Sequence, residues 1–222
     1  VFDFLTEYDV LGAFWVTVQL TVYSAIGSLI WGTILAGMRV SPVPIMRAFG
    51  TAYVNIVRNI PLTLVIIAMS LGLYQTLNIA LGGGTITTTN FRLAVLGFVL
   101  YTSTFVCESL RSGINTVPVG QAEAARALGL NFGQVLRMIV LPQAFRSVIG
   151  PLTSVLIALT KNTTVASTIG VAEASLLMSE MTENESDVIG LVFMVFAMGF
   201  VILTLPAGLL LGRLAKKAAV KR

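Results

Sequence analysis

The chain is predicted to be an all-α polytopic membrane protein, and three observations predict it. Of its 222 residues, 56% are hydrophobic and 11% charged, whereas soluble domains carry about 25% charge. Five apolar stretches approach the roughly 20 helical residues needed to cross a hydrocarbon core. Lysine and arginine crowd one side of those stretches, an asymmetry that orients membrane proteins. The mean hydropathy of +0.90 agrees, and the whole of 1–222 reads as one transmembrane domain.

The first ten residues, VFDFLTEYDV, are acidic and lack the basic n-region of a cleavable signal peptide. The first span is expected near 12–38. Arg39 to Arg58, with Pro42 and Pro44, reads as an amphipathic connector lying at the interface rather than crossing it. The second span is placed at 60–80. Gly82-Gly83-Gly84 follows as a hairpin between spans, because it lacks the lysine and hydroxyl residue of a phosphate-binding loop.

The third span, 92–114, carries polar groups. The hydroxyls of Thr102, Ser103 and Thr104 are expected to bond their own helix or a neighbour, with pore lining as the other reading. Glu108 and Arg111 are three residues apart and share a helix face. Near the inner boundary they read as an ion pair shared with Arg58, or as part of an inner gate.

Gln121 to Pro142 is a soluble-looking stretch in a chain otherwise made for lipid. Gln121, Glu123, Ala124, Ala125 and Arg126 belong to a run of good helix formers. Gly129 suits the left-handed residue that ends such a helix, Asn131 suits the cap of a new one, and Pro142 kinks it or marks where it meets the membrane. A rigid, alanine-faced helix at about 118–131 is the expectation, against the plainer alternative of a solvated loop.

The fourth span, 145–167, contains Lys161, about 19 residues and 28 Å along a helix from Pro142. An ammonium at that depth faces a cavity or a partner. With Asn162, Thr163 and Thr164 it reads as a place for an anionic solute, or else as one half of a salt bridge to Glu173. The fifth span is expected at 188–212. Asn184-Glu185-Ser186 matches a glycosylation sequon, a weak signal at three residues.

The charges orient the bundle. Arg39, Arg47, Arg58, Arg111, Arg126, Arg137 and Arg146 fall on one side with Arg213, Lys216, Lys217, Lys221 and Arg222, while only Arg92 flanks a span opposite. Asp3, Glu7, Asp9, Glu173, Glu180, Glu183, Glu185 and Asp187 lie on the other side. The N-terminus is then outside, the C-terminus and the Glu123 loop inside. The basic tail doubles as a contact for anionic lipid. With no histidine and a lone Cys107, disulfides, zinc sites and histidine catalysis are excluded, and neither a catalytic nor a metal site is expected.

Glu123-Ala124-Ala125, Gly129 after three intervening residues, and Ile139-Val140-Leu141-Pro142 together resemble the "EAA" loop of permease subunits from ATP-binding-cassette (ABC) importers. Arg58-Asn59-Ile60-Pro61-Leu62, Glu108-Ser109-Leu110-Arg111-Ser112-Gly113-Ile114, Val117-Pro118-Val119-Gly120-Gln121, Pro142-Gln143-Ala144 and Lys161-Asn162-Thr163-Thr164 extend the likeness to the polar amino acid (histidine/glutamine/glutamate) uptake branch. Ser112 stands where that branch has a glycine. Tyr101 to Phe105 and Leu159 to Thr164 are most similar to permeases of actinobacterial glutamate uptake. The resemblance implies a type I importer transmembrane fold in a bacterial cell membrane and alternating access for glutamate, glutamine or a related amino acid. It implies that Gln121, Glu123, Ala124, Ala125, Arg126, Gly129 and Pro142 form a coupling helix for a cytoplasmic ABC ATPase dimer. It also implies a second permease subunit and an extracytoplasmic amino acid-binding protein as partners. No cofactor is expected on this chain, with ATP and Mg on the ATPase, and no nucleic acid. A passive channel or membrane scaffold is the competing class, and it has no use for a coupling loop.

Overall fold

A computed structural model describes residues 7–218; Asp3, Lys221 and Arg222 of the charge reading lie outside them. Asp9 caps α1 (Val10–Val40) by accepting from the Gly12 amide at 2.8 Å. A ladder of small buried residues at every fourth position, Ser24, Ser28, Gly32 and Ala36, runs along α1 against α4 (Ile86–Ile114). In lipid, where no water drives helices together, small residues let two backbones approach closely. At Gly32 the approach is close enough that a Cβ would sit 2.6 Å from Val106.

The connector forms α2 (Pro44–Arg58), started by its proline at N1. It turns by 103° into α3 (Leu62–Ile67), which continues as a π-helix over Ala68–Thr76. The bend keeps α2 out of line with the span, as its amphipathic pattern predicts. The second span is thus shorter than the expected 60–80, and it counts as a crossing only when taken with the bent pair. Arg92 donates to the carbonyls of Leu81 (2.6 Å) and Gly83 (3.3 Å), so the glycine hairpin is tied to α4 rather than loose. Gly82 and Gly84 take left-handed φ values there, +80° and +145°.

Beyond α4 come α5 (Val119–Ala127), α6 (Phe132–Val135), a π-turn (Leu136–Val140), α7 (Leu141–Asn162) and a 3-10 turn (Thr163–Ile169). From Phe132 to Ile169 the helical run is continuous, 38 residues long. It contains the expected fourth span, α1 and α4 contain the first and third, and α9 (Ile189–Ala218) contains all of the fifth but Val188. An 11-residue helix, α8 (Ala174–Asn184), was not expected.

The core sits where α1, α3, α4 and α7 meet: Leu20, Ile66, Phe98 and Leu159, joined by Ala166 and Ile169. Lipid tails are as apolar as these side chains, so the cluster is held by close packing rather than by exclusion of water. A second cluster, Met181, Val192 and Phe196, packs α8 and α9 on Phe14 of α1, whose ring lies 5.7 Å from that of Phe196.

Candidate functional site

The first candidate site is the α5 loop. Gly129 has φ +89° and nothing within 4 Å of a built Cβ, so the backbone conformation alone selects glycine. Asn131 and Gln134 form a reciprocal capping box, each bond 2.9 Å. Between these two stops α5 presents two faces. Ala125 is buried with Val117, Val135 and Val140. Gln121, Glu123, Ala124 and Arg126 are exposed, as are Val119, Leu128 and Phe132, at 72%, 83% and 57%. These three apolar residues were not singled out from sequence; large hydrophobics in a stretch this polar were the available signal. Pro142 follows directly on the π-turn Leu136–Val140, and the helical run continues through it.

One contact fastens this loop to the bundle, and a second joins the helices on either side of it. The Gln143 amide donates to the Gln121 carbonyl oxygen at 2.7 Å. Gly113 abuts α7 so closely that a Cβ would lie 2.1 Å from Val148 and 3.0 Å from the Ala144 carbonyl. Ser112 is exposed, so its replacement of a glycine leaves that approach intact.

Just inside this end, Glu108 accepts from Arg39 of α1 and from Arg111 at 3.2 Å. The expected pair therefore exists, but its third member is Arg39. Arg58 instead lies over the Phe105 ring, 5.7 Å from its centroid, a cation–π contact. The chain direction of α2 carries Arg58 toward that ring.

The second candidate site lies on the α4–α7 face. A cavity of about 250 Å³ is lined by Tyr101, Thr102, Phe105, Ser154, Ala158 and Asn162, among others. Thr102 and Asn162 thus come together. Thr104 and Ser103 do not join them: both are buried and donate to their own helix, to Tyr101 (2.7 Å) and Leu100 (2.9 Å). Thr163 and Thr164 likewise donate to Thr160 (2.7 Å) and Lys161 (2.9 Å), so those hydroxyls are not free to hold a carboxylate. Lys161 is exposed on the surface of the single chain. The Glu173 carboxylate, fully buried, caps α8 by accepting from the Leu176 amide at 3.1 Å and from Thr17 at 3.5 Å. That geometry replaces the salt bridge considered for Lys161.

Lys161 belongs to a stripe. Ser147, Pro151, Ser154, Ala158 and Lys161 are all exposed along α7, alternating four and three residues apart, which puts them on one face. Elsewhere the exposed faces of spans are those expected against lipid: Ile26, Ile30 and Ile34 on α1, and Phe193, Ile202 and Leu209 on α9.

Among the described residues no group of acidic, cysteine or histidine side chains forms a metal site.

Known proteins share this architecture. The family described as "Binding-protein-dependent transport system inner membrane component" matches residues 28–220. The glutamate transport system permease protein GluC of Corynebacterium efficiens is 64% identical over 218 residues, 96% of either chain. The probable glutamine ABC transporter permease protein GlnM of Bacillus subtilis is 32% identical over 97% of this chain and 95% of its own. Among solved structures, an amino acid ABC transporter superposes with a TM-score of 0.81 at 21% identity over 98% of both chains. The inward-facing MetNI methionine ABC transporter superposes at 0.74 and 19% identity over 95% of this chain and 96% of its own.

Proposed function

The chain belongs to the binding-protein-dependent transport system inner membrane components, and from that premise we propose that it forms half of the path of an ATP-driven glutamate importer. The glutamate assignment is supported by 64% and 62% identity to two corynebacterial GluC permeases. The observation that carries the coupling role is the outer face of α5. An alanine-faced helix displays Glu123, with Val119 one turn before it and Leu128 exposed at its end, while Ala125 packs on α6 and the π-turn and Gln121 bonds Gln143 of α7. Apolar residues so exposed at a loop call for a partner surface; a groove in a cytoplasmic ABC ATPase provides it.

Because α5 is fixed to the base of α7, a displacement of the loop is transmitted to the helix that bears Lys161. Closure of the two ATPases on ATP moves the coupling helices together and opens the bundle outward, and hydrolysis resets it. The chain supplies the path, and the ATPase holds ATP and Mg. The exposed stripe on α7 faces a second permease across a path normal to the membrane. Lys161 and Asn162 attract the anionic solute there, Thr102 lines the cavity beside them, and an extracytoplasmic binding protein delivers it. Arg39, Glu108 and Arg111 hold the inner end of α1 to α4 and act on the gate through that packing. All 222 residues serve as one transmembrane permease domain, N-terminus outside and C-terminus inside.

The test is uptake of labelled glutamate by cells lacking the endogenous permease and expressing this chain with its ATPase. Wild type restores uptake. Gly129→Val, which opposes a left-handed backbone, and Glu123→Lys, which reverses the charge at the dock, should insert normally yet lose uptake and ATPase co-purification. Normal uptake and normal ATPase yield in both variants would reject the coupling role.

A further inference from the structure

An apolar groove of about 410 Å³ lies at the basic end of the bundle, between Thr33, Gly37 and Val40 of α1, Ile114 of α4, and Leu141 and Phe145 of α7. We propose that it holds an acyl chain of one phospholipid whose anionic headgroup is met by Arg137. The inference rests on the reading of this chain as a membrane permease and goes beyond it.

Gly37 is the first support. A glycine inside a helix weakens it, and in a transmembrane helix it is normally repaid by close packing. Gly27 and Gly32 fit that rule, since a Cβ would come within 2.5 Å of Val99 and 2.6 Å of Val106. Gly37 does not: nothing lies within 4 Å of its Cβ position, as at Gly150 and Gly190, and unlike them it lines this groove. Its missing side chain leaves space for something outside the chain, and that space is the groove.

The second support is position. Along α1 the lining spans Thr33 to Val40, about 10 Å of helix, beginning at the inner charged belt and running into the apolar layer. Leu141 and Phe145 on its rim are 45% and 67% exposed, so the groove is open on the side of α7. A slot of this shape at this depth accepts a hydrocarbon chain.

Charge identifies the headgroup. Arg137 is exposed and follows directly on Leu136, which lines the loop end of the groove. Basic residues at such mouths bind anionic headgroups. The second permease is assigned elsewhere, because the Ser147–Lys161 stripe is offset from the groove face by one residue, roughly 100° around α7.

The experiment uses the assembled complex with its ATPase in nanodiscs of equal phosphatidylglycerol and phosphatidylethanolamine, released for native mass spectrometry. Wild type should retain phosphatidylglycerol after other lipid is stripped. Gly37→Phe fills the groove without meeting protein and should lower retention roughly tenfold. Arg137→Gln should keep lipid but lose the preference for phosphatidylglycerol. Ile30→Phe, on the ordinary lipid face, should change neither. If Gly37→Phe disturbs insertion, Phe145→Ala removes an exposed wall and should weaken retention by itself. Unchanged retention in Gly37→Phe or Phe145→Ala overturns the proposal. Loss of the second permease from the Gly37→Phe complex also overturns it, since the groove is then a protein contact. Retention is scored without transport, so it stands or falls separately from glutamate uptake.

Discussion

Single residues carry the sharpest consequences where a charge is buried without its opposite. Burial pushes the Glu173 carboxyl up to about 7, against the pull of the Ser175 and Leu176 amides and the Thr17 hydroxyl. The folded chain holds that proton more tightly than the unfolded chain, so the stabilising effect is complete below the ordinary value of 4.5. It is lost as the pH rises through about 7. Thermal unfolding in detergent should therefore show wild type losing stability between pH 5 and 8, by on the order of 3 kcal/mol in total. Glu173→Gln should flatten that slope; an unchanged slope would show that the carboxyl titrates normally. Lys161 is distinguished by the same geometry. Lys161→Met should reduce glutamate uptake far more than glutamine uptake if both are carried, and adding Glu173→Gln should rescue nothing. Equal loss of both substrates would remove Lys161 from solute binding. Two of the neighbours of Lys161 read from sequence as donors, Thr163 and Thr164, donate within their own chain. Thr163 and Thr164 follow the rule that Ser103 and Thr104 follow, with membrane hydroxyls turned to carbonyls of their own chain.

At the scale of elements, what is local was legible and what is distant was not. Gly129 ends α5 and Asn131 starts α6 because backbone sterics and capping act within four residues. Arg39 meets Glu108 across 69 positions of sequence, and nothing in either neighbourhood distinguished Arg39 from Arg58. The short α8 was missed because its apolar face covers only a few residues, Ala174 and Met181 being buried; its cap, Glu173, had been read as an ion-pair partner. Packing between elements is testable at Gly113, where α4 and α7 touch. Gly113→Ala should destabilise the bundle by about 1–3 kcal/mol, the usual range for overpacking, and Gly120→Ala, with nothing within 4 Å, should not. Comparing their melting temperatures in detergent checks the contact, and equal values would mean that α7 yields easily there.

Across the whole molecule, the order of spans followed from hydropathy, because a bilayer leaves helices few alternatives; among the described residues four helices are long enough to cross, and a fifth is counted only if the bent pair is one span. The bent α2–α3 pair departed from the expected length, since its second half winds as a π-helix. Orientation is checked by labelling in a Cys107→Ala background. A cysteine at Gly83 should react with an impermeant thiol reagent in intact cells, and one at Gln121 only after the membrane is opened; the reverse pattern would invert the topology. The small-residue ladder of α1 has a further consequence, in the order of birth. Ser24, Ser28, Gly32 and Ala36 are shaped for α4, which begins at Ile86, beyond the end of α1 at Val40. At synthesis rates of about 5–20 residues per second, the intervening chain takes roughly 2–9 s to emerge. For that interval the nascent α1 has no mate for its ladder, and the serine oxygens that stay unpartnered even in the finished bundle face acyl chains.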